Sequence, residues 1–502
     1  MNGKLLIIVC CSLLLSPAMA QVQDTTATAE HKNRWKNVLG DFRNNPAFMH
    51  DAYSTSITQI GIGISYKKAN RPFQAEKGNG HTLGNATVKS YLQLNPNNTV
   101  WGGASYQIGR KRNIRFNSTS DYDLLYPYVM ADTIGGNMEN ERYAFNGGYA
   151  VKMKCWTFGA EMKFRAEHEY RTIDPRPRSI ATDLTLRIGL AHSLRHYRIG
   201  AGIGGKTYKQ TNNVDFYNPL GVIPEFHMTG LGTDYVRFAG AVRSSYYKGM
   251  GGIADLQLAP LQSGGAYVSI EGGYMPYENI LTELNALPIS RLEVETTSVQ
   301  AGWKHEGKFR WATFTGWSME HRRGNEHIAG SSSSTEYKSL ITLSMFRNRK
   351  SDCHIGAAFG MGSLSRFMLH ARLGWMDEQS EYTDLKREMA FTKTYGYLEW
   401  QWMWRSGAQW QMEWNGNAAY FHNSSKRIVM PYAVMDKQIT QLVNDTYAAK
   451  TAHLWSLGTQ CAVYHHPKQW KGVGLFFKAA LAYSHTAVIH QVEADAAIGV
   501  VL

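Results

Sequence analysis

The chain has 502 residues, 53 Lys and Arg against 40 Asp and Glu, a formal charge of +13 and a mean hydropathy of −0.36. No stretch supplies the roughly 20 uninterrupted apolar residues that a membrane-crossing helix needs, which excludes a helical membrane protein. The basic residues are interleaved with acids and aromatics and form no stripe, which excludes a nucleic-acid surface and points to anionic lipid head groups and a mildly cation-repelling interior.

Residues 1–20 read as an export signal. Lys4 supplies the positive start, Leu5 to Leu15 the apolar core, and Ala18-Met19-Ala20 a cleavage site before Gln21. Cys10 and Cys11 raise a lipid-anchored alternative, but bulky Ile8 and Val9 precede them where a small residue is required. Only Cys155, Cys353 and Cys461 remain beyond the signal, an odd and scattered set that makes neither a disulfide framework nor a zinc site. The predicted division is a signal at 1–20, an N-terminal segment at 21–55 and one continuous domain at 56–502. In the segment, Trp35, Val38, Leu39 and Phe42 follow i, i+3, i+4, i+7 spacing, which predicts a short amphipathic helix ended by Asn45-Pro46. Such a helix packs either beneath the following domain or inside it as a small hatch.

From Ile57 onward the chain alternates. Trp156, Phe158, Ala160, Met162 and Phe164 are apolar, while Glu161, Lys163, Arg165, Glu167 and Glu169 stand between them. Successive side chains on a strand point to opposite faces, so this ribbon has one oily and one wet face. Thr182 to Leu190 and Tyr197 to Ile203 repeat the pattern, with Asp183, Arg187, Arg198 and Lys206 on the wet side. Paired glycines such as Gly61 with Gly63 and Gly200 with Gly202 read as relief of crowding or as curvature. Leu292 and Val294 are apolar on even positions but Val299, Ala301 and Trp303 on odd ones, which predicts a β-bulge near Thr296 to Ser298. The densest hairpin runs Trp400, Trp402, Trp404, a turn at 405–408, then Trp410 and Trp414, with Glu399, Gln401, Gln411 and Glu413 opposite. Tryptophans beside a turn form the girdle that a membrane interface favours. Short turns near 96–98, 152–155, 193–196, 305–308, 406–408 and 466–470 alternate with long connections, one end against the other.

These features predict an all-β chain, a transmembrane antiparallel β-barrel of about 18 strands within a range of roughly 14 to 20, preceded by a short helical segment, in the outer membrane. Its predicted lumen wall is Glu161, Lys163, Arg165, Glu167, Asp183, Arg187, Arg198, Lys206, Glu399, Gln401, Gln411 and Glu413. Cross-strand bracing is favoured over a substrate track for this mixed ladder. His453, His465, His466, His485 and His490 gather toward the C-terminus, but neighbours on opposite faces cannot share an ion, so interfacial or loop roles are expected. Asp121, Asp123, Asp132, Glu139 and Glu141 lack calcium-loop spacing and read as a solvated loop. No G-x-S-x-G or H-E-x-x-H motif organises the serines and histidines, so no catalytic residue, cofactor or metal is assigned and an enzyme is not expected.

Arg34-Trp35 through Asn45-Pro46-Ala47-Phe48, Tyr126-Pro127-Tyr128 and Gly230-Leu231-Gly232-Thr233-Asp234-Tyr235 resemble a bacterial family of outer-membrane barrels known only as a domain of unknown function. The resemblance implies a barrel and supplies no activity. Asn45-Pro46-Ala47 is also similar to the N-terminal hatch of long-chain fatty-acid transporters. The short stretch before the first strand leaves no room for the plug of a TonB-dependent receptor. A passive or hatch-gated, porin-like pore for small solutes is the expected function. The alternative is a silent accessory or assembly barrel whose outer loops bind another outer-membrane protein, a lipoprotein or a surface polymer.

Overall fold

The computed structural model describes residues 25–38, 44–218, 220, 225–235, 244–261, 264–282, 286–307, 309–330, 339–362, 366–470 and 472–502. The predicted signal, Leu39 and Phe42 lie outside them. Eighteen strands follow one another around a ring: β1 (Ile57–Ala69), β2 (Gly80–Asn95), β3 (Asn98–Ile114), β4 (Gly136–Met153), β5 (Trp156–Tyr170) and β6 (Arg176–Ser193). β7 (Tyr197–Asp215), β8 (Ser244–Pro260), β9 (Gly265–Leu281), β10 (Leu287–His305), β11 (Arg310–Ala329) and β12 (Ser339–Met361) continue it. β13 (Phe367–Tyr382), β14 (Arg387–Ser406), β15 (Trp410–Val429), β16 (Leu454–His465), β17 (Gly474–His485) and β18 (His490–Val501) complete it. Every neighbour is antiparallel, and the ring closes where β1 pairs with β18 from Gln59↔Val501 to Ala69↔Gln491.

The distribution of side chains inverts that of a soluble protein. Ile62, Ile203 and Leu373 on the outer surface are 59%, 61% and 65% exposed, whereas Gln401 and Gln411 on the inner face are fully buried. Apolar atoms leave water only if the outer face meets lipid, and a closed ring leaves no unpaired backbone edge there. Two-residue turns at Pro96-Asn97 and Lys154-Cys155 mark one end, which also holds the start of β1 and the end of β18. The long connections at 115–135, 216–243 and 430–453 mark the other.

Two expectations need correction. The pairing of β10 with β9 and β11 runs without interruption through Thr296 to Ser298, and the irregularity in the β9–β10 ladder lies at Asn279/Ile280. The parity change has another cause. Leu292 and Val294 point inward against Leu125, Tyr128 and Tyr208 of a buried apolar cluster, while Trp303 faces outward. The hydrophobic face switches because the lumen is locally filled. The N-terminal helix also differs: α1 spans Thr25–Lys32, and only a short 3-10 turn, Arg34–Asn37, follows. Asn45-Pro46 begins a second 3-10 turn, Pro46–Asp51, with the Asn45 side chain accepting from the Ala47 N–H and Pro46 in the first position, where its missing N–H costs nothing.

Leu292→Ala is therefore expected to cost about 2–5 kcal/mol of unfolding free energy in detergent, the penalty of a packed core leucine. In a double-mutant cycle with Leu125→Ala it should show coupling of about 0.5 kcal/mol or more. Additive effects would place Leu292 on the lipid side.

Candidate functional site

Each end of the lumen is occupied. At the short-turn end residues 25–38 and 44–56 pack against one another inside the ring. Glu30 is the knot: its carboxylate accepts from the Ser54 N–H at 2.8 Å and the Thr55 hydroxyl at 2.6 Å and pairs with Lys36. Burial would raise this carboxyl, but those hydrogen bonds outweigh it and hold it at about 2, well below the usual carboxylate range. The segment is moored around the wall. Gln401 accepts from the Arg34 N–H at 3.0 Å and donates to the Lys32 carbonyl at 2.9 Å. Buried Trp35 donates to Glu306 at 2.6 Å, packs on Ala312, Ala358 and Met368, and has the Lys304 ammonium 4.9 Å from its ring. Asn45 donates to Asp255 at 3.1 Å, Arg187 donates to the Asn44 carbonyl at 2.7 Å, and Arg198 pairs with Asp51. A Cβ on Gly159, Gly189 or Gly200 would run into Pro46, Asn45 or Phe48. Gly200, expected to relieve crowding or allow curvature, forms with Gly159 and Gly189 the seat of this plug.

At the long-loop end residues 115–135 tuck inward through the short helix α2 (Tyr122–Leu125). Tyr122, Leu125, Tyr128 and Val129 pack against Tyr208, Tyr247 and Tyr277 of the wall. Met130–Ala131, Phe226–Gly230 and Thr233–Asp234 form a three-stranded sheet above them, and Arg387 donates to the Leu231 and Gly232 carbonyls at 3.0 Å each. Helix α3 (Gln438–Thr451) borders the same loops, with Leu442, Val443 and Thr446 facing Tyr126 and Pro127 across a small cleft. Two of the acids expected in a solvated loop are held instead, Asp132 fully buried against Arg171 at 3.0 Å and Asp121 clamped by Arg165 at 2.7 Å, while Asp123 is exposed as expected. Burial works to raise the Asp121 carboxyl, but Arg165 overcomes it and the net direction is down. Glu76, in the 70–79 connection, goes the other way because burial prevails over the Tyr122 hydroxyl that donates to it at 2.7 Å.

Between plug and loops lie two cavities of about 840 and 780 Å³, one nearer the plug and one nearer the loops, both touching Arg165 and Asp183. Of the predicted wall, Glu161 and Lys163 pair at 2.9 Å beside the lower chamber. Arg165 and Asp183 pair at 2.7 Å on the boundary, and Lys206 borders the upper chamber. Glu167 accepts from Asn140 at 2.7 Å. Arg187, Arg198 and Gln401 hold the plug, as does Glu399, which pairs with Arg34. Glu413 accepts from Gln401 at 3.0 Å, and the Gln411 amide is buried without a partner among the described residues. Trp402, Trp404, Trp410 and Trp414 are exposed on the outer face beside the 407–409 turn, and Trp400 packs edge-on against Trp414.

Sequence reasoning missed Lys304 and Asp255, because nothing in an alternating strand tells a side chain facing water from one facing a plug, and Glu30 and Glu306, which lie in a helix and a turn where no period of two applies. The histidines separate by parity. His465 stacks on Trp410 outside, His466 lies 3.3 Å from the Thr28 hydroxyl of the plug, and His485 and His490 touch each other on the outer surface.

A closed ring with an apolar outer face and a polar, plugged interior defines a transmembrane β-barrel. The model of a family of unknown function, DUF6850, matches residues 46–502, and the chain belongs to that family. No curated protein matches it. Among solved structures it is similar to the copper transporter OprC, at 7% identity and a TM-score of 0.42 over 86% of this chain and 62% of that one. CdiB from Acinetobacter baumannii gives 7% and 0.37 over 89% and 60%. The ferric-catecholate import receptor Fiu from E. coli K12 gives 8% and 0.36 over 89% and 82%. The chain spans about three fifths of the length of OprC and CdiB, and no function is carried over from any of them.

Arg165→Gln would leave Asp121, Asp183 and Glu167 facing one another. Breaking a mostly buried pair costs about 3 kcal/mol or more, so hydrogen exchange within 115–135 should accelerate about a hundredfold while the strand amides of β5 and β6 hold. The Glu30 knot has a defined pH sign. A carboxyl whose folded pKa lies below its unfolded one stabilises fully above the unfolded value, and that contribution fades as pH falls toward about 2. Proteolysis of residues 25–56 should therefore speed up between about pH 4 and pH 2 in the native chain. In Glu30→Gln it should already be fast at pH 7 and change little with acid.

Proposed function

We propose that this protein is a hatch-gated, porin-like diffusion channel for small polar solutes, exported by a cleaved signal at 1–20 and resident in the outer membrane, with residues 21–55 as the hatch. The observation that supports this reading is the seating of residues 25–38 and 44–56 inside the ring by discrete side-chain contacts, with a cavity of about 840 Å³ directly above. Opening by strand separation would break a continuous ladder; β1 alone is in register with β2 at twelve positions. The hatch is held by separate side-chain hydrogen bonds and ion pairs, each of about 1–3 kcal/mol, together with buried Trp35 and Phe48. The hatch is the cheaper element to move. The folded-in loops at 115–135 and 225–235 favour a second reading, a silent barrel whose outer face docks a partner protein, a lipoprotein or a surface polymer.

Planar-bilayer recording separates the two. The full chain is expected to show small, flickering anion-preferring conductance, and deletion of residues 25–52 to raise the unit conductance several-fold. Because the deletion could impair assembly, Trp35→Ala combined with Asp51→Ala serves as a second variant, with heat-modifiable gel mobility as the check on barrel closure. A closed barrel that passes no current in any of the three forms supports the docking role and overturns the channel.

A further inference from the structure

The lower chamber has a charge surplus that the bracing pairs do not absorb. Five basic side chains and two acidic ones line it. Glu161 is already engaged by Lys163 at 2.9 Å and by the Trp101 indole N–H at 3.3 Å. Asp183 is taken by Arg165 at 2.7 Å. Lys32 donates to the Gln59 amide oxygen at 2.7 Å, a neutral partner. Lys89 and Arg142 make no hydrogen bond or ion pair with the described residues, although their strands are braced elsewhere by such pairs. The Lys32 ammonium is pushed down by burial, against the pull of Glu413, and further by Lys89 and Lys478, so cations crowd one another here. Clustered like charges with no counter-charge are costly unless an anion completes the set. The upper chamber differs: Lys67 stands opposite Glu493 in register, and Asp121, Asp123 and Glu169 share its wall.

The rest of the lower chamber combines polar side chains, Gln59, Thr87, Ser90, Ser105 and Asn146 among them, with an apolar and aromatic patch. Met49 and Tyr53 of the plug and Tyr91 and Trp101 of the wall line it, with Tyr53 held edge-on to Tyr91 at 5.2 Å between centroids. A volume of about 840 Å³ is that of a pocket for a small organic molecule. A bare inorganic anion would use the cations and leave this surface wet.

We infer that the lower chamber is a binding site for a small organic anion, its carboxylate or phosphate held between Lys89 and Arg142 and its ring or chain lying on Met49, Tyr53 and Trp101. The site rests on the channel reading for its role as a way-station, but not for its existence. Plug residues form part of its floor, so an anion bound there also touches the hatch.

Calorimetric titration of the full chain folded in detergent tests it, with phenyl phosphate as the probe and inorganic phosphate, benzyl alcohol and benzylammonium as comparisons. Phenyl phosphate should bind saturably, at least about tenfold more tightly than inorganic phosphate and than either non-anionic ring. Lys89→Gln with Arg142→Gln should weaken it about tenfold or more, and Lys89→Arg should retain it. Binding of phenyl phosphate that is absent, or unchanged in the double glutamine variant, overturns the site. Equal binding of phosphate and phenyl phosphate overturns the organic part of the assignment. Conductance measured on the same preparation keeps the two readings apart: current without binding removes the site and spares the channel, whereas binding without current does the reverse.

Discussion

Everything in this molecule follows from the need to satisfy each backbone N–H and C=O of a strand surrounded by lipid. A bilayer offers no water to an unpaired edge, so the eighteenth strand must return to the first. Closure then dictates the side chains. Alternate residues face lipid and must be apolar; the others face a lumen too wide to fill from the wall alone and are polar. The wall alone therefore cannot build the oily centre on which soluble domains rely. What occupies its middle is borrowed from the chain on either side of the strands: a segment ahead of β1 and connections between the strands.

That origin explains why the interior is held as it is. Where wall and insert are both apolar, as around Tyr208, Tyr247 and Leu292, they pack like an ordinary core. Elsewhere the contacts are polar and specific. Trp35 combines the two, its ring between small wall residues and its N–H on Glu306. Arg165 joins wall to loop through Asp121 and to its own sheet through Asp183 and Glu167. Removing one partner from such a group leaves charges with no water to turn to, which is how a single side chain can govern a whole loop.

The two-faced ribbons were legible in the sequence because a period of two reports directly on a boundary between oil and water, and strand number and direction followed from the alternation of short and long connections. The structure has eighteen strands, the number that alternation gave. What lay beyond reach was anything set by the lumen. Leu292 and Val294 looked like a register fault because period-two reasoning assumes a wet interior. Gly200 looked like relief of crowding or curvature because a missing side chain does not say that Phe48 takes its place. Trp35 and Val38 suggested an amphipathic helix, yet the helix forms earlier, at Thr25–Lys32, where no apolar stripe announces it. Its position is set by Glu30 reaching forward to Ser54 and Thr55, a contact across more than twenty residues that no local pattern encodes.

The seam between β1 and β18 carries an implication for assembly. Thr58 and Leu502 exchange both backbone hydrogen bonds, at 2.7 and 2.8 Å, so the cylinder is sealed by its most distant pieces of sequence. The plug is tethered a few residues before that seam and touches strands on the opposite side of the circumference, through Asp255, Glu306 and Gln401. An open, curling sheet can wrap around it; a finished ring would have to admit it through its mouth. The N-terminal segment thus sits where a mandrel would, with the sheet's far wall gathered on it before the ends meet.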